Sequence, residues 1–76
     1  MENKYLDCFG YQLKDGDDVL VSIDDIIDCG IILEMNDEFF VIDYQTWKGE
    51  EEIIKRIRYY VYDAVQGKFR NIYKIR

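Results

Sequence analysis

The residues of this chain that could do chemistry are its carboxylates and its two cysteines. The 76-residue sequence holds 16 acidic residues, Cys8 and Cys29, and no histidine. Without histidine, Cys/His zinc sites and Cys/His nucleophilic dyads are both excluded. The sequence also contains no phosphate-binding glycine loop, no dinucleotide fingerprint and no serine nucleophile motif. We therefore expect a protein without catalytic activity, cofactor or bound metal.

The acidic residues concentrate in short polar stretches that lack a metal-ligand pattern. Asp15, Asp17 and Asp18 flank Gly16, but the spacing of glycine and glutamate in a calcium-binding loop is not met. A carboxylate pair that worked as glycosidase acid and base would need one partner buried, which a chain this short hardly allows. These stretches are therefore interpreted as solvated turns or, together, as one negative surface.

Charge is distributed unevenly along the chain. Residues 1–52 contain 15 acidic and three basic residues, for a net charge of −12, whereas residues 53–76 contain one acidic and seven basic residues, for +6. The total of −6 argues against non-specific attraction to nucleic acid or anionic lipid. A dense negative potential can instead imitate a phosphate backbone and attract a basic groove of another protein. The simpler explanation, that acidity keeps a small protein in solution, stays open.

Short strands separated by turns must carry these residues. Alternating apolar residues predict strands at residues 9–13 and Asp18–Ile23, with a polar turn between them. Residues 29–44 are predicted to form one β-hairpin that reverses at Asn36-Asp37. Gly30, inside this hairpin, indicates a bulge or a close approach of two backbones.

Two periodicities fit residues 50–66. As a helix, the segment would place Ile53, Ile57 and Val61 on one face and end at Gly67. As a strand, residues 57–62 are types that prefer sheets, and a turn containing Gly67 would lead into a second strand. The run Arg-Tyr-Tyr-Val-Tyr is a poor helix centre, which favours the strand.

Five or six short strands in so short a chain predict an all-β fold, a small and partly closed barrel, in one domain spanning residues 1–76. The alternative is an α+β fold with a helix at about 50–66 packed on a β-meander. Because the sequence contains neither a signal-peptide pattern nor an uncharged run long enough to span a bilayer, a cytoplasmic location without a membrane partner is expected.

A family resemblance supports the barrel. The run Gly16-Asp17-Asp18-Val19-Leu20-Val21, followed by Gly30-Ile31-Ile32 and residues 39–43, resembles the opening strands of SH3-like small barrels of the Tudor and KOW kind and of YopX-like phage proteins. The resemblance covers residues 9–44 and implies a binding module. The aromatic cage of methyl-lysine-reading Tudor domains does not map onto residues of this chain, so that activity is not implied.

The leading hypothesis is a non-catalytic protein-interaction module, a phage or mobile-element inhibitor whose acidic face occludes a basic, nucleic-acid-binding surface of a host or defence protein. Trp47 joins this face because tryptophan in a loop between strands is a frequent interface anchor. The predicted partner-binding residues are Asp15, Asp17, Asp18, Asp24, Asp25, Asp28, Asp37, Glu38, Trp47, Glu50, Glu51 and Glu52.

The alternative function is a small barrel that binds single-stranded nucleic acid. It requires residues 56–62 and 68–76 to pair as a C-terminal hairpin, with cations for phosphate and tyrosines for stacking bases on one face. The predicted nucleic-acid-binding residues are Arg56, Arg58, Tyr60, Tyr62, Lys68, Arg70 and Lys74. A third prediction is a homodimer that forms through edge strands.

Overall fold

The fold is a meander of five antiparallel strands in one sheet. The computed structural model describes residues 5–75. The strands are β1 (Asp18–Ile23), β2 (Ile26–Leu33), β3 (Phe39–Lys48), β4 (Glu51–Tyr60) and β5 (Ile72–Lys74), and a single 3₁₀ turn (Val61–Asp63) follows β4. Their order across the sheet is β4-β3-β2-β1-β5. No α-helix occurs between residues 5 and 75, so the all-β prediction is confirmed and the α+β alternative with a helix at about 50–66 is wrong.

Pairing with β3 explains why the ambiguous segment is a strand. All ten residues of β4 have a partner in β3, and the hairpin closes at Lys48 and Glu51. Gly49 in the turn has φ of 65°, a left-handed conformation that glycine adopts at little cost. Ile57 and Tyr59, two residues apart on β4, pack against the core. The strand therefore buries part of the apolar face that a helix would have formed, and it leaves Val61 exposed.

One face of the sheet carries the core. Alternate residues of the central strands are buried there, as the period of two in β1 predicts. Side chains from outside the strands complete the cluster. Its buried members are Tyr5, Leu13, Val19, Val21, Ile32, Phe40, Ile42, Tyr44, Phe69 and Ile72. We call this side of the sheet the inner face and the opposite side the outer face.

Side chains near the two edges of the sheet meet across the core. Asn71, just before β5, donates hydrogen bonds from Nδ2 to the Tyr59 hydroxyl at 2.9 Å and to the Ser22 carbonyl at 3.1 Å. The Tyr59 ring lies 5.7 Å from the Phe69 ring. Burial is the main cause that raises the pKa of Tyr59 above its ordinary value. The sheet therefore curls into a partly closed small barrel in which β4 and β5 remain unpaired with each other.

Two predicted boundaries are wrong for local reasons. Residues 9–13 form no strand, because the carboxylate of Asp7 accepts the backbone N–H groups of Phe9 and Tyr11 and holds this segment in a turn. β2 begins at Ile26 rather than at residue 29, because Asp24 and Asp25 both have positive φ, 51° and 66°, and form a two-residue hairpin turn. Aspartate tolerates this conformation better than most residues do.

Gly30 marks a close approach of two strands, one of the two outcomes that the sequence predicts. It pairs with Tyr44 of β3. A Cβ atom at this position would lie 2.7 Å from Ile42 Cγ2 and 2.9 Å from the Asp43 carbonyl oxygen. Real Cβ atoms do not approach a backbone so closely, so β2 and β3 can pair here only around glycine.

Replacement of Gly30 by alanine is expected to lower the free energy of unfolding by about 2 kcal/mol, because β2 must move away from β3. Urea unfolding checks this through a lower midpoint at an unchanged slope. Gly49→Ala is the matched control, since an added Cβ there meets no atom within 4 Å and adds only the strain of a positive φ. An effect at Gly30 no larger than that at Gly49 would contradict the close approach.

Candidate interaction surfaces

The topology divides the predicted acidic face between two ends of the sheet. In an antiparallel meander, the β1-β2 and β3-β4 turns lie at one end and the β2-β3 connection lies at the other. We call the first the hairpin end, with its turns at residues 24–25 and 49–50. The second is the connection end, formed by residues 34–38 and by the start of β1. The acids therefore do not form one continuous face.

The hairpin end gathers seven of the twelve predicted partner-binding residues, six acids and Trp47. Its acids are Asp24, Asp25, Asp28, Glu50, Glu51 and Glu52. All of them are exposed except Asp28, which is half-buried. Trp47 stands opposite Glu52 and leaves 65% of its surface exposed. It lies in β3 and not in the predicted loop, because the hairpin turns only at Gly49.

The remaining predicted acids lie at the connection end, where several serve the fold. Asp17 accepts the backbone N–H of Lys14 at 2.8 Å and forms an ion pair with Lys74 Nζ at 3.2 Å. Asp37 and Glu38 lie near the Tyr5 hydroxyl, whose pKa is raised by burial and further by these two charges. Asp15 and Asp18 are exposed. This end is thus less available to a partner than the hairpin end.

A cleft separates the two hairpins at the hairpin end. β2 pairs with β3 only from Gly30 to Leu33, so residues 26–29 pair with β1 alone and residues 45–48 pair with β4 alone. On the outer face this cleft opens into a groove of about 380 Å³, lined by Asp18, Cys29, Gly30, Ile31, Asp43, Gln45 and Ile54. Ile54, which lines it, is more than half exposed, and so are Ile26 and Ile27 in the part of β2 that does not pair with β3. The hairpin end therefore combines carboxylates with exposed apolar side chains.

Arg56 and Arg58 of β4 share the outer face, as the strand alternation predicts, whereas Lys55 lies on the opposite face. Arg58 places its guanidinium carbon 4.2 Å from the centre of the Phe39 ring. The Tyr60 ring stacks on the Tyr62 ring at 5.2 Å, with the planes 7° apart, and Phe39 meets Tyr60 edge-on. These contacts form an aromatic ladder with one cation at its side.

Arg56, the next cation along β4, is held by the chain itself. Its Nε and Nη2 donate to the two carboxylate oxygens of Asp43 at 2.6 and 3.0 Å. This bidentate bond lowers the pKa of the Asp43 carboxyl and raises the pKa of Arg56. A phosphate group would have to compete with Asp43 for this guanidinium.

The predicted C-terminal hairpin is wrong. Residues 51–60 pair with β3, whereas β5 pairs with β1 at the opposite edge of the sheet. The reason is that β3 offers β4 ten paired positions, while β1 would otherwise be an open edge. Lys68, Arg70 and Lys74 are consequently separated from the outer face of β4, and Lys74 Nζ binds the Gln12 carbonyl and Asp17.

No family model, curated protein or solved structure matches this chain. In the part that the structure describes, no helix is long and apolar enough to cross a membrane. Within residues 5–75, no group of three or more Cys, Asp or Glu side chains is placed to hold a metal ion. Cys8 and Cys29 are both free thiols.

The sequence interpretation overlooked two parts of these surfaces. Asp43 was grouped with its strand, although its position opposite Arg56 makes it the residue that neutralises this arginine. Ile27 was predicted to lie in a connection and Ile54 on the apolar face of the alternative helix, yet both lie on the outer face of the sheet and are 68% and 60% exposed. The alternation of polar and apolar residues could have identified them only after the strand pairing was known.

Proposed function

We propose that this protein is a non-catalytic interaction module that binds a cationic surface of another protein through its hairpin end. The observation that supports the proposal is that two acidic turns lie at the same end of the sheet, one on each side of the cleft, with an exposed tryptophan close to the second. Such a surface is suited to an inhibitor, encoded by a phage or other mobile element, that covers the nucleic-acid-binding groove of a host or defence protein.

In the single chain, the acids of the hairpin end form no ion pair with another described residue. The ion pairs between described residues involve Asp43 with Arg56 and Asp17 with Lys74, and all four residues lie away from the acidic turns. Charge at the rim of an interface mainly accelerates encounter, while desolvated aromatic residues supply much of the binding energy. The acids would therefore steer the partner, and Trp47 with its apolar neighbours would hold it.

The nucleic-acid alternative has weaker support. Of its seven predicted residues, Arg56, Arg58, Tyr60 and Tyr62 belong to one surface, and Arg56 is bound to Asp43. The net charge of −6 opposes a phosphate backbone further. Gel-shift titration with single-stranded and duplex oligonucleotides tests it, and tight retardation would favour this alternative over the inhibitor.

Neutralising the hairpin end should weaken binding to a cationic probe such as a decalysine peptide by about tenfold. The variant combines Asp24→Asn, Asp25→Asn, Glu50→Gln and Glu51→Gln, which keep side-chain size. Asparagine also accepts the positive φ of both aspartates. Binding is measured by calorimetry at low and at physiological salt, and the affinity should fall as salt is added.

The matched control removes four charges from the connection end through Asp15→Asn, Asp18→Asn, Asp37→Asn and Glu38→Gln. This control should retain most of the affinity although its net charge is the same. Equal losses in both variants would show that total charge, and not the hairpin end, decides binding. Affinity capture from bacterial cells with the wild-type protein and the two variants then seeks the natural partner.

A further inference from the structure

The free edge of β4 has a charge pattern that is complementary to itself. β4 is the first strand in the sheet order and, within residues 5–75, pairs only with β3. Reading along its outer face and the preceding turn, Glu50 and Glu52 are followed by Ile54 and then by Arg56 and Arg58. The series therefore has two acids on one side of Ile54 and two bases on the other side, at matching distances. Two such strands placed antiparallel would set every acid opposite a base.

The backbone of this edge is also free to pair. Lys48 and Glu51 flank a two-residue turn and therefore form a hydrogen-bonded pair. Because such pairs alternate along an antiparallel ladder, residues 51, 53, 55, 57 and 59 direct their backbone N–H and C=O groups toward β3. Residues 52, 54, 56 and 58 direct theirs away from β3. Tyr60, the next in this series, fits the pattern, because its N–H donates to the Asp63 carboxylate at 2.9 Å instead of to β3. The 3₁₀ turn thereby ends the open edge.

We propose that two copies of this chain associate through their β4 edges into one continuous sheet, related by a two-fold axis at Ile54. In this register Ile54 faces Ile54 of the second copy, Glu52 faces Arg56, and Glu50 faces Arg58. Such an isologous contact satisfies the same groups on both copies. Edge strands normally carry charge that prevents pairing, whereas here the charge selects one partner.

Registers shifted toward the C-terminal end of β4 are less favourable. A shift that moves the axis to Lys55 sets two lysines opposite each other, and a shift to Arg56 does the same with two arginines. The chosen register also covers Ile54, which is 60% exposed in the single chain. Arg56 can bind Asp43 of its own chain and Glu52 of the second copy at the same time, because Asp43 uses two of the five N–H donors of the guanidinium.

Sedimentation equilibrium tests the dimer across micromolar to millimolar concentrations. We expect the mass to rise from 9.2 kDa for one chain toward twice that value. Ile54→Lys places two like charges on the axis and should raise the dissociation constant about tenfold or more. Ile27→Lys is the matched control, since Ile27 is also an isoleucine exposed on the outer face but belongs to β2. A constant mass of one chain, or equal association of Ile54→Lys and wild type, would overturn the proposal.

Charge-swapped variants distinguish a loss of association from a loss of folding, because their mixture restores the complementary pairs. Glu52→Arg alone and Arg56→Glu alone each set like charges opposite each other, so each variant should remain monomeric. Mixed together, they should form a heterodimer, because the arginines of one variant face the glutamates of the other. In a Cys8→Ser, Cys29→Ser background, Ile54→Cys should cross-link readily under glutathione disulfide, and Ile27→Cys should not. Failure of the mixture to associate and of Ile54→Cys to cross-link would exclude this register.

Discussion

Replacing Asp7 by alanine is expected to lower the free energy of unfolding by about 3–5 kcal/mol. The Asp7 side chain is fully buried, and Oδ1 accepts the N–H groups of Phe9 at 2.9 Å and Tyr11 at 2.8 Å. Oδ2 accepts the N–H of Lys74 in β5 at 2.9 Å. Alanine would leave three backbone donors without their acceptor. Urea and thermal unfolding followed by circular dichroism measure the loss.

Two further variants separate this role from a general effect of charge. Asp7→Asn keeps one carbonyl acceptor and should lie between wild type and Asp7→Ala. Asp15→Ala removes an exposed carboxylate, so its effect should stay within about 0.5 kcal/mol. If Asp7→Ala were as mild as Asp15→Ala, the buried carboxylate would not be what attaches the N-terminal segment to β5.

The second large effect is expected at Phe40, where alanine should cost about 3–5 kcal/mol. Phe40 is fully buried, and its ring lies 5.0 Å from Tyr5, 5.1 Å from Phe69 and 5.6 Å from Tyr59. These partners come from the N-terminal segment, from the segment before β5 and from β4. Truncation of this one ring therefore opens a cavity where the curled ends of the sheet meet.

The neighbouring phenylalanine is the matched control for Phe40. Phe39 lies on the outer face, half-buried beneath the Arg58 guanidinium, so Phe39→Ala should cost about 1 kcal/mol. Chemical denaturation of both variants gives the difference directly. Equal losses would mean that the outer face is as tightly packed as the inner one, which would contradict the division into a core face and an exposed face.

The parts of the fold that depend on local patterns could be predicted from the sequence. Val19, Val21 and Ile23 recur at every second position between two turns, and β1 begins and ends where this period indicates. For the segment that forms β4, local evidence allowed either a helix or a strand and only slightly favoured the strand. The pairing with β3 makes this segment a strand. That pairing requires the turn at Gly49, which is difficult to recognise in the sequence because polar residues surround it.

Contacts between distant residues account for what the sequence could not reveal. The three donors to Asp7 are two, four and 67 residues away from it, and no local pattern marks such a site. The acidic residues can be read directly from the sequence, but their division between the hairpin end and the connection end follows from the meander topology. The pairing of β5 with β1 likewise separated Lys74 from the arginines of β4.

The position of the single tryptophan gives this protein a built-in optical reporter. Trp47 is largely exposed at the hairpin end and is absent from the buried cluster. Its indole is largely exposed to water in the folded chain, as it is in the unfolded chain, so its emission maximum should change little on denaturation. A partner that covers the hairpin end would transfer the indole into an apolar environment and shift its emission to shorter wavelength. Intrinsic fluorescence can therefore detect complex formation without a label and almost without interference from unfolding.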